Sequence, residues 1–295
     1  MTYDCIIIGA GPGGLQAAVY LGRFNRRVLL IDRSGGRTRH AKHIENFLTH
    51  KSISGNEMID LGIEQAKSFN VRVEHDTVTT VNKGDTFEVS CGEKQFLSRF
   101  VIVSSGATEN IPQIENIYKF FALSVFTCVD CDGYRTTGKK LVIIGNSPKT
   151  VTLALAMKEM FTADITVILY FYQVPPEFRQ ELDEARIRLL NGRPIRFLGD
   201  DNLTGVEMES GEIIECEMAL SHFGFKLNDR FLKNLNLKKD REDFKYVTNR
   251  AFESSLSGLY IVGPLNEGND QAIIAAGEGA VAAIDINKRL IEFSG

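Results

Sequence analysis

Apolar and polar positions along this chain fall into two strand–helix–strand units, one at the N-terminus and one near the middle. Residues 3–8 are a short apolar run rich in isoleucine, the pattern of a buried parallel strand. A helical pattern follows over 15–24, then a second apolar strand over 28–31 that ends at Asp32. The stretch 65–92 reads as helix, strand and a small hairpin around Lys83-Gly84-Asp85, and 100–103 as another apolar strand. Pro112 then breaks the pattern and marks a domain boundary. The second unit has a strand over 140–145, a helix over 151–160 and a strand over 165–169. Charged and apolar residues alternate at helical spacing over 177–190, which predicts an amphipathic helix with a solvated face. Short strands follow over 193–223, turning at Ser210-Gly211-Glu212. A strand over 257–263 and a helix over 271–293, rich in small residues, close the chain. Strands alternating with helices predict an α/β protein of Rossmann-like units with parallel sheets.

The turn after the first strand is Gly9-Ala10-Gly11-Pro12-Gly13-Gly14. Its context of strand, helix, strand and terminal acid is that of a dinucleotide fingerprint. Gly9 makes the tight turn, Gly11 lets the backbone approach a pyrophosphate, and Gly14 lets the helix pack on the strand. The helix start supplies N–H donors and a positive dipole end, and Asp32 is placed for ribose hydroxyls. Arg33, Arg37, Arg39, Lys42, His40 and His43 then surround Gly35-Gly36. This stretch is a solvated loop, a neutraliser of cofactor phosphates, or a docking surface for an acidic partner. His40 and His43 have metal-ligand spacing, but no cysteine or third histidine lies near them, so no metal is assigned.

The corresponding turn of the second unit is Gly145-Asn146-Ser147-Pro148-Lys149-Thr150. Only its first glycine remains. Ser147 stands where the backbone should meet a phosphate and Thr150 where helix should pack on strand; Pro148 lacks an N–H, a loss tolerated at a first helical position. Tyr170-Phe171-Tyr172-Gln173 follows the second strand, with no acid or arginine to hold a ribose or its phosphate. The unit therefore reads as a dinucleotide fold with a degraded nucleotide site. The aromatic run there either packs or stacks on a ring system.

Between the two units lies Cys128-Val129-Asp130-Cys131-Asp132-Gly133. Two intervening residues let the sulfurs meet, and a carboxylate stands beside them as a proton donor. A sulfur at a helix start has its thiolate stabilised. The pair reads as a redox disulfide or as half of a zinc site, and Cys5, Cys91 and Cys216 are scattered singly.

Bulk properties narrow the class. The 295 residues suffice for two domains, and 43% hydrophobic with 24% charged residues is globular. A net charge of −4 argues against nucleic acid as a partner. Five cysteines in this length do not make a stapled secreted scaffold. The N-terminus has no basic region ahead of its apolar run, and no run of about 18 apolar residues spans a membrane. The expected compartment is the cytoplasm.

With these motifs in hand, the chain resembles the low-molecular-weight thioredoxin reductases over nearly its whole length. The resemblance rests on the Gly9–Gly14 turn, on Gly35-Gly36 before Glu45-Asn46-Phe47, and on Ser105-Gly106-Ala107. It rests further on Cys128-x-x-Cys131-Asp132-Gly133 and on the run ending at Gly263, followed by Gln271-Ala272. It implies two three-layer ββα dinucleotide-binding domains, the second inserted in the first. The FAD domain would comprise 1–113 and 246–295, and the disulfide domain 114–245. It also implies a homodimer. FAD contacts are implied at Gly9, Gly11, Pro12, Gly13, Gly14, Asp32, Arg33, Gly36, Arg37, Asn46, Ser105, Gly106, Ala107, Gly263, Pro264, Gln271 and Ala272. The positive end of the last helix would favour a reduced, anionic flavin. Cys131 would exchange electrons with the flavin, Cys128 would attack the partner's disulfide, and Asp132 would act as general acid.

Two departures matter. The second glycine turn and the basic cluster that bind NADPH in the family are absent, and the family's Gly-Asp beside the ribityl chain is Gly263-Pro264. The pattern looks most like the pyridine-nucleotide-independent branch, with ferredoxin-linked and deeply rooted cyanobacterial-type members. The expected activity is an FAD-dependent dithiol/disulfide exchange fed by ferredoxin or another flavin and serving a thioredoxin-like protein. The rivals are an NADPH-dependent thioredoxin reductase with a divergent turn, a dithiol oxidase that passes electrons from a small dithiol to oxygen, and a non-enzymatic redox sensor. Hinges for domain motion are expected near 111–116 and 243–247.

Overall fold

The computed structural model describes residues 2–292, and the last residue of the helix expected over 271–293 lies outside them. The chain divides into two compact units, one of residues 1–108 and 226–295, the other of 109–225.

The first unit begins with β1 (Thr2–Ile8), α1 (Pro12–Arg23) and β2 (Val28–Asp32), followed by α2 (Gly55–Ser68) and β3 (Arg72–His75). A meander of β4 (Thr80–Lys83), β5 (Phe87–Cys91) and β6 (Lys94–Val103) follows, and β7 (Ala107–Glu109) leads out of the unit. The sheet order is β3-β2-β1-β6-β5-β4. Strands β3, β2, β1 and β6 are parallel neighbours, whereas β4, β5 and the first half of β6 pair antiparallel. Alternate residues of β1 enter different cores. Cys5 and Ile7 meet the helices, and Ile6 and Ile8 meet the meander side through Val81, Phe87 and Val89. That alternation is the period of two expected of a strand covered on both faces.

The second unit contains α3 (Ile117–Phe120), β8 (Val125–Phe126), α4 (Val129–Asp132), β9 (Leu141–Gly145), α5 (Pro148–Met160), β10 (Ile165–Leu169) and α6 (Pro176–Glu184). It continues through β11 (Arg188–Asn191), β12 (Pro194–Leu198), β13 (Gly205–Met208), β14 (Ile213–Glu215) and β15 (Met218–His222). Its parallel sheet runs β11-β10-β9-β15-β8, and β12-β13-β14 form an antiparallel sheet. Helices α5 and α6 cover one face of the parallel sheet and β12–β14 the other, so this unit repeats the three-layer ββα arrangement of the first. The chain returns along β16 (Phe225–Leu227) to β17 (Leu259–Ile261), which pairs parallel with β6, and to α7 (Ala272–Glu292).

Three expectations are corrected. The charged helix ends at Glu184 and not at residue 190, because Arg186 turns left-handed at φ 53° and 188–191 join the sheet beside β10. The return to the first unit comes at residue 226 and not at 246, because Leu227, Phe231, Leu232, Leu235 and Leu237 pack in its meander-side core. The hinge expected over 243–247 is pinned at Tyr246, which is buried and donates its N–H to the Leu265 carbonyl at 2.8 Å, while Asp243 and Phe244 are exposed.

Candidate functional site

The first site is built at the carboxyl ends of β1, β2 and β6. Gly9 adopts φ 102°, and a Cβ there would lie 2.3 Å from the Ser104 carbonyl oxygen. A left-handed residue pressed against backbone must be glycine. Pro12 opens α1 at its first position, where a missing N–H is harmless, and Gly11 ahead of it provides no side-chain cap. The first turn of α1 therefore presents backbone donors toward an anion. Gly14 packs against the Gly9 carbonyl and Gly13 against the Ala275 carbonyl, both too closely for a Cβ.

These turns line a cleft of about 780 Å³. Of the residues expected at the cofactor, Gly9, Gly11, Pro12, Gly13, Asp32, Arg33, Gly36, Arg37, Ser105, Gly106, Ala107, Gly263, Pro264, Gln271 and Ala272 line it. Gly14 does not face the cleft; it acts by packing helix on strand. Asn46 stands outside the lining and donates through Nδ2 to Gln271 Oε1 at 3.0 Å. The Asp32 carboxylate accepts the Ala10 N–H at 2.9 Å and the Ser34 N–H at 3.0 Å. It thereby ties the end of β2 to the glycine turn.

Sequence motifs miss the far wall. Thr77, Val78 and Thr79 reach the cleft because β3 lies beside β2. Asn228 is a clamp that no motif announces. Its Nδ2 donates to the Ser105 carbonyl at 3.0 Å, its carbonyl accepts the Ser105 hydroxyl at 2.7 Å, and its Oδ1 accepts the Thr108 hydroxyl at 3.0 Å. Ser105 is thus held through its own hydroxyl. The only signal in the sequence is an asparagine just after the inserted unit.

The second site lies in the other unit. Cys128 and Cys131 are joined as a disulfide with Cα atoms 5.4 Å apart, the arrangement of the redox reading of the pair. Both residues are half-buried. Cys128 is the N-cap of α4, a single turn, so the helix dipole expected to stabilise its thiolate is small. The Asp132 N–H donates to the Cys128 carbonyl at 3.2 Å. The Asp132 carboxylate accepts from Arg135 Nη1 at 3.2 Å, and Arg135 Nη2 donates to the Leu123 carbonyl at 2.9 Å. Arg135 therefore orients the carboxylate beside the disulfide. Gly133 leaves no room for a Cβ, which would lie 2.9 Å from the Phe161 ring.

At the degraded turn, Thr150 is fully buried beneath Gly145, where a Cβ would lie 2.1 Å from its Oγ1. The Thr150 hydroxyl is 3.2 Å from His222 Nδ1. Burial and nearby Lys149 lower the pKa of His222 below the ordinary imidazole value of 6.5. At the end of β10 the rings of Tyr170 and Phe171 stack at 4.3 Å, and Phe223 meets Tyr170 edge-on at 6.2 Å. Phe171 is 87% exposed and left-handed at φ 55°. Among the described residues no group of three or more His, Cys, Asp or Glu side chains is arranged for a metal ion.

Residues 3–279 match the pyridine nucleotide-disulphide oxidoreductase family. The chain belongs to this family. It is 26% identical to the thioredoxin reductase of Bacillus subtilis, covering 95% of this chain and 92% of that protein. It is 28% identical to the thioredoxin reductase of Mycolicibacterium smegmatis, covering 99% and 97%. The thioredoxin reductase structure from Streptococcus pyogenes shares its fold at a TM-score of 0.91, with 23% identity and 99% of each chain covered. The chain is a flavin-dependent disulfide oxidoreductase with FAD as its cofactor. The cleft fits that group: an uncapped helix start would offer its N–H donors to the diphosphate, Gly9, Gly11 and Gly13 line the cleft without side chains, and Arg33 and Arg37 line it as cations.

Proposed function

We propose that this oxidoreductase works without NAD(P)H, with electrons supplied by a ferredoxin-like protein or another flavin and delivered to a thioredoxin-like protein. The Gly9–Gly14 turn, Asp32, Arg33 and Arg37, the Ser105–Ala107 turn and the start of α7 would hold FAD, which would supply reversible two-electron chemistry. Cys131 would be the sulfur that exchanges electrons with the flavin, and two electrons open its bond to Cys128, leaving Cys128 as a thiolate. Cys128 then attacks the partner's disulfide as a thiolate, forming a mixed disulfide and releasing one partner sulfur. Asp132, held by Arg135, delivers the proton that this leaving sulfur needs. Cys131 attacks the mixed disulfide, restoring the Cys128–Cys131 bond and freeing the second partner thiol.

The observation that carries the donor assignment is the filled nucleotide turn of the second unit. Thr150 occupies the space beneath Gly145, and stacked aromatics stand where a ribose phosphate needs basic residues. The protein works as a homodimer in the cytoplasm, a reading supported by the family resemblance. The test is anaerobic mixing of holoenzyme with millimolar NADPH or NADH. Flavin absorbance should persist, while reduced ferredoxin should bleach it; rapid bleaching by either nucleotide overturns the proposal. Oxygen uptake with small dithiols, without reduction of thioredoxin, would reassign the direction to dithiol oxidation.

A further inference from the structure

A carboxylate lies buried behind the turn that closes the cofactor cleft. Glu278, on α7, is 5% exposed. Its Oε2 accepts the Gly263 N–H at 2.5 Å and Asn266 Nδ2 at 2.8 Å. Asn266 is itself buried, and its Oδ1 accepts the Gly268 N–H at 2.6 Å. The loop of 263–268 is thus folded around one carboxylate. Gly263 holds φ 75°, and Gly263 and Pro264 form part of the cleft wall. On the other side, a Cβ at Gly279 would lie 2.0 Å from the Gly13 carbonyl oxygen. The residue after Glu278 therefore rests directly on the first turn of α1. Side chain and neighbour together join the two walls, the diphosphate turn and the 263–264 turn.

We propose that Glu278 is a positioning residue of the flavin cleft, which fixes the Gly263–Pro264 turn against α1 and links the cleft's affinity for FAD to the proton it carries. The inference concerns only how the cleft holds its cofactor and is independent of the electron donor. Its electrostatic setting is small. Asp270 and Lys245 are the charged groups facing it from the loop side; they pair with each other at 2.9 Å, and Arg37 reaches Asp270 at 3.9 Å. The α1 turn facing it, Pro12 to Gly14, carries no charged side chain. Burial raises the Glu278 pKa above the ordinary 4.5; the hydrogen bonds from the Gly263 N–H and Asn266 Nδ2 act against that rise, and Asp270 adds to it while Lys245 opposes it.

The sign follows by linkage. FAD is anionic, so its binding disfavours an ionised Glu278 and raises the pKa further. Below the free-cleft pKa the carboxyl is neutral and affinity is full. Affinity is lost as pH rises from the free-cleft pKa to the bound-state pKa. Removing the acceptor also leaves the Gly263 N–H buried without a partner.

The experiment is titration of the flavin-stripped full chain with FAD across acid to neutral pH, followed by flavin fluorescence quenching. Wild type should bind more weakly as pH rises. Glu278→Gln, which keeps an acceptor and cannot ionise, should bind with little dependence on pH. Glu278→Ala should bind about 10-fold more weakly at every pH, and Glu278→Asp should recover part of the pH dependence. If Glu278→Ala does not fold, the comparison of wild type with Glu278→Gln carries the test alone. Equal pH profiles for wild type and Glu278→Gln, or unchanged affinity in folded Glu278→Ala, would overturn the proposal.

Discussion

At the disulfide the decisive groups are few. Cys128, Cys131 and Asp132 stand within one turn, and Arg135 holds the carboxylate at 3.2 Å. Replacing either Cys128 or Cys131 with Ser should abolish turnover with any disulfide acceptor; retained turnover in both variants would exclude a disulfide mechanism. Arg135 is a positioning residue for Asp132, and the pair is about a quarter exposed, so its effect is moderate. Arg135→Ala should slow thiol exchange about 3- to 10-fold and displace its pH profile, with partial recovery in Arg135→Lys. A rate change at constant pH profile would assign Arg135 to packing alone. The cysteine pair and its acid were legible in the sequence because they are contiguous. Arg135 is only three residues away, yet its role was hidden, since only the turn that follows α4 aims it back at Asp132.

Among the elements, the packing of α7 on α1 sets the shape of the cleft. The small residues of α7 were visible in the sequence, but their partner was not. Gly279 meets the Gly13 carbonyl and Gly13 meets the Ala275 carbonyl, so the two helices approach through glycines on both sides. Gly279→Ala should push α7 away from α1, cost about 1–3 kcal/mol of stability and weaken FAD retention. Thermal melting with and without added FAD checks this, and an unchanged melting temperature in both conditions would refute it. The elements the sequence misread were short. Strand β11 continued the charged helix in pattern, and only parallel pairing with β10 made it a strand. The meander-side wall, with Leu227 to Leu237, belongs to the first unit by packing and not by any punctuation in the sequence.

For the whole molecule, burial sorts the five cysteines into two classes. Cys5, Cys91 and Cys216 are buried, and desolvation raises all three thiols, Cys91 to about 11 and Cys216 to about 12. A thiol that stays protonated is a poor nucleophile. After mild reduction, alkylation of the native protein at neutral pH should therefore label Cys128 and Cys131 alone, and all five cysteines in denaturant. Rapid labelling of any of the other three in the native state, read by peptide mass, would contradict this assignment. Among the described residues no helix is long and apolar enough to cross a membrane.

By itself the sequence determined the α/β class, the first glycine turn, the redox pair and the loss of the second nucleotide motif. Each of these is local: a turn, a spacing or a strand period constrains residues that are neighbours along the chain. Tertiary structure decided the rest. Asn228 meets Ser105, Asn46 meets Gln271, and Glu278 reaches Gly263 only after the two ends of the chain are brought together around one sheet. Contacts between distant segments depend on strand order and helix packing, and neither has a period that a linear pattern can carry.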